Sequence, residues 1–131
     1  MNAKLKNIIK KSSFTIEKGL FNYLKISKVD NLDDHFMVSK DRDEITIVTK
    51  KENLKRLSMI EKNKDDYHLI ALNVSVPFYC VGFLAAITKA IAKEGMDVLV
   101  ISTYSKDYIL VKHGCLDKAI TVLKKLGFKQ K

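Results

Sequence analysis

Short polar side chains next to apolar runs indicate a site for a small charged molecule. Residues 75–78 precede an apolar helical run that contains Gly82. The first turn of an α-helix offers unpaired N–H groups and the positive end of the helix dipole, which together bind a carboxylate. Ser102, Thr103 and Asp107 lie where two β-rich runs meet, and such groups bind an amino group. These residue types therefore indicate binding of a small zwitterion.

Motifs for catalysis or metal binding are absent from the sequence. His35, His68 and His113 are 33 and 45 residues apart, so they lack metal-ligand spacing. The sequence contains no Gly-x-Ser-x-Gly elbow and no phosphate-binding or dinucleotide glycine motif. Cys80 and Cys115 share no metal spacing, and two cysteines cannot form a disulfide framework in a chain of this size. We expect no enzyme activity, no cofactor and no metal.

The composition fits a soluble, basic protein of 131 residues with 47% hydrophobic residues and a net charge of +9. Of 24 cationic residues only Arg42 and Arg56 are arginine, the usual reader of guanine edges. The charge also divides evenly along the sequence, at +4 for residues 1–66 and +5 for residues 67–131. A nucleic-acid partner is therefore not expected. No run is long enough for a signal peptide or a transmembrane segment, and we predict a cytoplasmic protein.

The C-terminal half has the order β-α-β-β-α. Residues 67–74, 97–104 and 107–112 are rich in β-formers, an amphipathic helix runs from about residue 79 to Gly95, and a second runs from Leu116 to Gly127. Only FKQK follows, which is too short for the last strand of a βαββαβ unit. The missing edge must come from the N-terminal half or from another chain.

The N-terminal half repeats part of this pattern at an offset of 63 residues. Residues 35–39 and 44–49 align with two strands, and Leu57 and Ile60 align with the last helix, which predicts a helix there. Residues 12–18 predict a strand, and residues 19–34 a shortened or irregular crossover. Chance resemblance of short β-rich runs is the alternative. The basic tail, residues 1–11, is expected to fray, to pack as a short helix or to contact an anion or a membrane.

The run Ile101-Ser102-Thr103-Tyr104-x-x-Asp107-Tyr108-x-Leu110-Val111, with Gly82 and Gly95, resembles the ACT domain family. It is most similar to small tandem-ACT proteins related to aspartate kinase regulatory domains and to cytosolic arginine sensors. The resemblance implies an α+β fold of two ferredoxin-like βαββαβ units with antiparallel sheets that associate. It implies a degenerate ACT-like unit at residues 12–66, with the irregular crossover, and an ACT unit at residues 67–131.

The same resemblance implies a non-catalytic regulatory module that binds a small ligand, most often an amino acid, where two units meet. Its partners would be that ligand and either a second copy of the chain or a regulated protein. The family's ligand positions correspond to Ser75, Val76, Pro77, Phe78, Gly82, Ile101, Thr103, Tyr104 and Asp107. Because SVPFYCVG has no acidic residue, arginine is not supported as the ligand.

Each of these residues also has a purely structural interpretation. Ser75 could cap a helix, Asp107 could close a hairpin turn, and Tyr104 could pack in a core or an interface. The alternative function is that of a nucleic-acid or other anion-binding ferredoxin-like protein, because RNA-recognition modules share the same element order.

Overall fold

The fold was analysed in a computed structural model that describes residues 1–74 and 80–131. These residues form two compact units: a major unit of residues 1–18 and 68–131, and a minor unit of residues 19–67. The division differs from the sequence boundaries of 12–66 and 67–131, because residues 1–18 group with the C-terminal half.

Three α-helices, nine strands and three short 3₁₀ segments are formed by the described residues. In chain order the helices and strands are α1 (Ala3–Lys10), β1 (Ser13–Ile16), β2 (Phe21–Ile26), β3 (Met37–Lys40), β4 (Ile45–Lys50), β5 (Met59–Lys62), β6 (Tyr67–Asn73), α2 (Phe83–Lys93), β7 (Leu99–Ser102), β8 (Asp107–Lys112), α3 (Leu116–Leu126) and β9 (Lys129–Gln130). The 3₁₀ segments are Leu32–Asp34, Lys51–Arg56 and His113–Cys115.

The sheet of the major unit has the strand order β7-β8-β6-β1-β9. Strand β1 runs antiparallel to β6, from the pair Ser13 and Asn73 to the pair Ile16 and Ile70. It occupies the position of the fourth strand of a βαββαβ unit, and the two-residue β9 extends the sheet beside it. The missing edge strand thus comes from the N-terminal half of the same chain.

The three helices cover one face of this sheet and share one core with it. Residues of α1, α2 and α3 pack in this core against Phe14 and alternate residues of β6 and β8. Helix α1 begins with the Asn2 side chain accepting a hydrogen bond from the Leu5 N–H at 2.8 Å, and it buries Leu5, Ile8 and Ile9. Of the alternatives for the N-terminal tail, packing as a short helix is the one observed.

Helix α2 begins at Phe83, four residues later than the sequence predicted. The physical reason is Gly82, whose φ of 87° places it in the left-handed region, outside helical geometry. A glycine adopts this conformation without the steric cost that a Cβ would bring.

The minor unit is an antiparallel sheet with the strand order β3-β4-β2-β5. The prediction of a helix around Leu57 and Ile60 is wrong: the 3₁₀ segment Lys51–Arg56 and strand β5 occupy this region. Leu54 and Leu57 pack against the core of this unit, whereas Ile60 is exposed. Pairing of β5 with β2 satisfies backbone groups along one side of β2, which a helix could not do.

Residues 19–34, expected as an irregular crossover, contain strand β2 and one 3₁₀ turn. Strand β2 buries Phe21, Asn22, Leu24 and Ile26, so its burial follows a strand pattern rather than a helical one. All residues from 19 to 67 are described, and this stretch contains no α-helix.

The net positive charge belongs to the major unit, in contrast to its even division along the sequence. Residues 1–18 and 68–131 carry 14 lysines and five acidic residues, whereas residues 19–67 carry ten basic and ten acidic residues. The major unit therefore has a net charge of +9 and the minor unit a net charge of zero. Among the described residues, none of the helices has the length and hydrophobicity needed to span a membrane.

Candidate functional site

A cleft of about 430 Å³ lies in the major unit between the start of α2 and the turn that joins β7 to β8. One wall is the first turn of α2 with Gly82, and the other is the turn from Ser102 to Asp107. Apolar and polar groups share the lining, which comprises Val74, Cys80, Gly82, Phe83, Leu84, Ala85, Ser102, Thr103, Tyr104, Ser105, Lys106 and Asp107. A concave site with an apolar surface and a few polar groups is typical of small-molecule binding.

The β7–β8 turn has its backbone fixed by its own short side chains. The Thr103 N–H and its Oγ1 hydroxyl both donate to the Lys106 carbonyl, at 2.8 and 3.0 Å. Ser102 Oγ donates to Asp107 Oδ1 at 2.6 Å, across the last pair of the hairpin. Since these bonds hold the turn in one shape, the Asp107 carboxylate has a defined position at the cleft.

The first turn of α2 forms the opposite wall. Among the described residues, no side chain caps this helix end, because the N-cap position is occupied by Gly82. The N–H of Phe83, the first residue of α2, donates to the Cys80 carbonyl at 3.2 Å. The N–H of Ala86 donates to the Gly82 carbonyl at 2.9 Å. The N–H groups of Leu84 and Ala85 fall between these two bonds, and neither has an acceptor within the helix itself. This end of the cleft is suited to an anionic group.

The residues singled out in the sequence fall into three groups. Gly82, Thr103, Tyr104 and Asp107 line the cleft. Ile101 lies in the buried part of β7 and is not part of the lining. Ser75, Val76, Pro77 and Phe78 lie outside the described residues.

Other lining residues were not singled out as ligand positions. Lys106, Cys80 and Leu84 are three of them. The signal that could have found them is position: Lys106 precedes Asp107 in the tight turn, and Cys80 and Leu84 flank Gly82 at the helix start. Tyr104 is 81% exposed at the rim.

A second polar pair lies in the major unit outside the cleft lining. His68 Nε2 and His113 Nδ1 are 2.8 Å apart, a hydrogen-bond distance, with ring centroids 5.0 Å apart. Burial of His68, together with the nearby His113, lowers the pKa of His68 below 6.5. Among residues 1–74 and 80–131, no three His, Cys, Asp or Glu side chains are grouped so that they could hold a metal ion.

In the minor unit, the acidic residues near Asp30 form a structural network. Arg56 donates to Asp30 and to Asp34, each at 2.7 Å, and buried His35 bridges Asp30 and Thr49 at 3.0 and 2.9 Å. The hydrogen bond from His35 is the main cause of a lowered pKa of Asp30. These contacts join the loop before β3 to the rest of the unit, so they account for the acidic residues without a ligand.

Comparison with known protein families gives a match over residues 64–125, and the matching family is the ACT domain. The matched residues include the strands and helices that form the cleft. Residues 64–125 form an ACT domain. This domain takes its edge strand β1 from residues that precede the matched segment. The match supports a regulatory module that binds a ligand.

Solved structures share the α+β fold of this chain. A protein of unknown function from Vibrio cholerae is 21% identical, with a TM-score of 0.79, over 95% of this chain and 96% of that one. A protein from Agrobacterium tumefaciens is 16% identical, with a TM-score of 0.70, over 92% of each chain. The regulatory subunit of aspartate kinase from Thermus thermophilus is 8% identical, with a TM-score of 0.60, over 86% of this chain and 95% of that one. A search among curated proteins gives no match.

Proposed function

We propose that the protein is a non-catalytic regulatory module that binds a free amino acid in the cleft between α2 and the β7–β8 turn. The observation that carries this proposal is the lining of the cleft. It combines an uncapped helix start, a carboxylate, a lysine and an apolar surface in one site of about 430 Å³. A regulatory subunit of aspartate kinase among the proteins of similar fold is consistent with this function.

The carboxylate of the ligand binds at the first turn of α2. The helix dipole and the N–H groups of Leu84 and Ala85 favour a negative charge there. The Lys106 side chain adds positive charge to the cleft. Gly82 carries no side chain, so it leaves the approach to the helix end open.

The ammonium group of the ligand binds at the opposite wall. Asp107 offers its carboxylate at the start of β8, and its Oδ1 already accepts from Ser102. Among the described residues, Asp107 Oδ2 accepts no hydrogen bond and is available to the ligand. The ligand's side chain then lies over Val74, Phe83 and Leu84, which favours an uncharged side chain over that of arginine.

Regulation requires that ligand binding reaches a second macromolecule. In this proposal the effect of the ligand is passed to a regulated protein or to a second copy of the chain. We place this contact at the rim of the cleft, where Tyr104 is 81% exposed. The proposed location is the cytoplasm.

The experiment is a thermal-shift screen of the twenty amino acids at low and high salt. A ligand that binds only the folded state raises the Tm in a saturable manner. The Kd of the best amino acid is then measured by calorimetry for the wild type, for Asp107→Asn and for Asp97→Asn. Asp97 is the matched control because it lies in the same unit, exposed and outside the cleft.

Asp107→Asn removes the charge but keeps the shape and the acceptor for Ser102. We expect it to weaken binding roughly 5- to 150-fold, equivalent to about 1–3 kcal/mol for a charged hydrogen bond. Asp97→Asn should leave the Kd unchanged. The proposal is contradicted if no amino acid raises the Tm, or if the two variants bind equally well.

A further inference from the structure

The lysines of the major unit are concentrated on its helices. The three helices carry eight lysines and a single acidic residue, Asp117. We call these eight the lysine face, and all of them are exposed: Lys4, Lys6, Lys10, Lys89, Lys93, Lys118, Lys124 and Lys125.

The packing of the helices makes this a shared surface rather than three separate ones. Helices α1 and α2 both pack against α3, and all three bury their apolar residues in the same core. Lys93, Lys118 and Lys125 line one groove between α2 and α3, which the acidic Glu94 also lines. Lys118 Nζ donates to the Glu94 carbonyl at 3.2 Å, which ties it to the end of α2.

The acidic side chains on this surface do not balance its charge, because eight lysines stand against Asp117 and Glu94. Within the part of the chain that the structure describes, no lysine of the lysine face forms an ion pair within 4.0 Å. The minor unit differs, since its Lys25 and Lys51 pair with Glu44 and Asp66. A group of unpaired positive charges destabilises the folded protein by mutual repulsion and attracts an anionic partner.

We propose that the lysine face binds the phosphodiester backbone of a nucleic acid without reading its bases. Lysine contributes a point charge on a flexible stem, which suits phosphate groups spaced along a chain. The three helices hold no arginine, which is the residue that most often reads guanine. Binding therefore depends on salt and is independent of base sequence.

Other partners fit this surface less well. An amphipathic membrane-binding helix needs large apolar side chains to insert, and none of the exposed large hydrophobic residues among the described ones lies within α1, α2 or α3. The core of a protein interface is enriched in aromatic residues, methionine and arginine and depleted of lysine. Binding of phosphate groups requires neither exposed apolar side chains nor an aromatic, methionine-rich or arginine-rich interface.

The test is fluorescence anisotropy with a labelled 20-nucleotide uridine RNA and a thymidine DNA of equal length, in 50, 100 and 200 mM KCl. Lys93→Gln/Lys118→Gln/Lys125→Gln is compared with Lys28→Gln/Lys40→Gln/Lys64→Gln. The second set consists of exposed lysines of the minor unit, so both variants lose three positive charges. Circular dichroism verifies that each variant keeps its helices.

We expect the wild type to bind both strands equally, with log K falling linearly against log salt. Each lost phosphate contact lowers the slope by about 0.7 for a single strand. The variant of the lysine face should therefore lose about 2 from its slope, and the variant of the minor unit should keep the wild-type slope. Equal weakening of both variants would show that only net charge matters and would overturn the proposal. Binding without salt dependence, or preference for vesicles of acidic phospholipid over either strand, would also overturn it.

Discussion

Helix α1 belongs to the core of the major unit, and replacing Ile9 with alanine tests this. Ile9 is fully buried in the same cluster as Leu5, Phe14 and Leu123. Its Cγ2 lies 3.5 Å from the position that a Cβ would take at Gly127. The side chain therefore fills space between α1 and the end of α3.

The expected loss follows from the atoms removed. Ile→Ala removes three carbon atoms, worth about 0.8 kcal/mol each in transfer free energy. That gives roughly 2.4 kcal/mol before the cavity is counted, and a tightly packed site adds to it. We expect Ile9→Ala to lower the free energy of unfolding by about 2.5–4 kcal/mol.

The assay is urea unfolding followed by circular dichroism at 222 nm. Every α-helix among the described residues lies in the major unit, so this signal reports on that unit. Val100→Ala is the control, because Val100 lies in the same unit, 40% exposed on β7, and its truncation should cost less than about 1 kcal/mol. The account of α1 is refuted if the two variants lose the same stability.

Two further predictions concern a backbone conformation and a titration. Gly82→Ala should lower the free energy of unfolding by about 1–2 kcal/mol, because residue 82 has a left-handed φ of 87°. Gly114→Ala is the control and should leave the free energy of unfolding almost unchanged, because a Cβ at residue 114 meets open space. Equal urea midpoints for the two variants would refute this prediction. The lowered pKa of His68 means that the unfolded state takes up a proton at higher pH than the folded state. The free energy of unfolding should therefore fall as the pH drops below 6.5, and this part of the decline should vanish in His68→Gln. Urea midpoints at pH 7.0 and 5.5 measure the difference, and an unchanged decline in the variant would contradict it.

Most of the C-terminal half was predictable because its elements agree with local patterns, although β7 is shorter than the predicted 97–104. Strand β8 and helix α3 have the bounds that hydrophobic periodicity and Gly127 indicated. Strand β6 ends within one residue of its expected bound. The start of α2 was not predictable in this way, because apolar spacing before Gly82 resembles a helix although Gly82 itself adopts a left-handed conformation.

The N-terminal half was less predictable because contacts distant in sequence determine its structure. The spacing of Leu57 and Ile60 fits a helix, but β2 offers an edge that β5 fills. Strand β1 was predicted as a strand, yet its partner is β6, more than 50 residues away. A sequence pattern defines which residues are apolar, and it does not define which strand edge they will meet.

The residues of the cleft were predictable only where their residue type indicated a turn. Turn residues such as Thr103 and Asp107 stand out by type. Lys106 resembles any surface lysine until the hairpin brings it to the start of α2. The net charge of the major unit was not predictable from the order of the sequence either. Residues 1–18 contribute their lysines to the same unit as residues 68–131, at the other end of the chain.

The most direct test of the central claim is a titration of ¹⁵N-labelled protein with the amino acid that raises the Tm most, followed by backbone amide NMR. Binding in the cleft predicts saturable shift changes at Gly82, Leu84 and Ala85 on one wall and from Thr103 to Asp107 on the other. Shift changes confined to the minor unit, or to the outer surface of α3, would contradict the account.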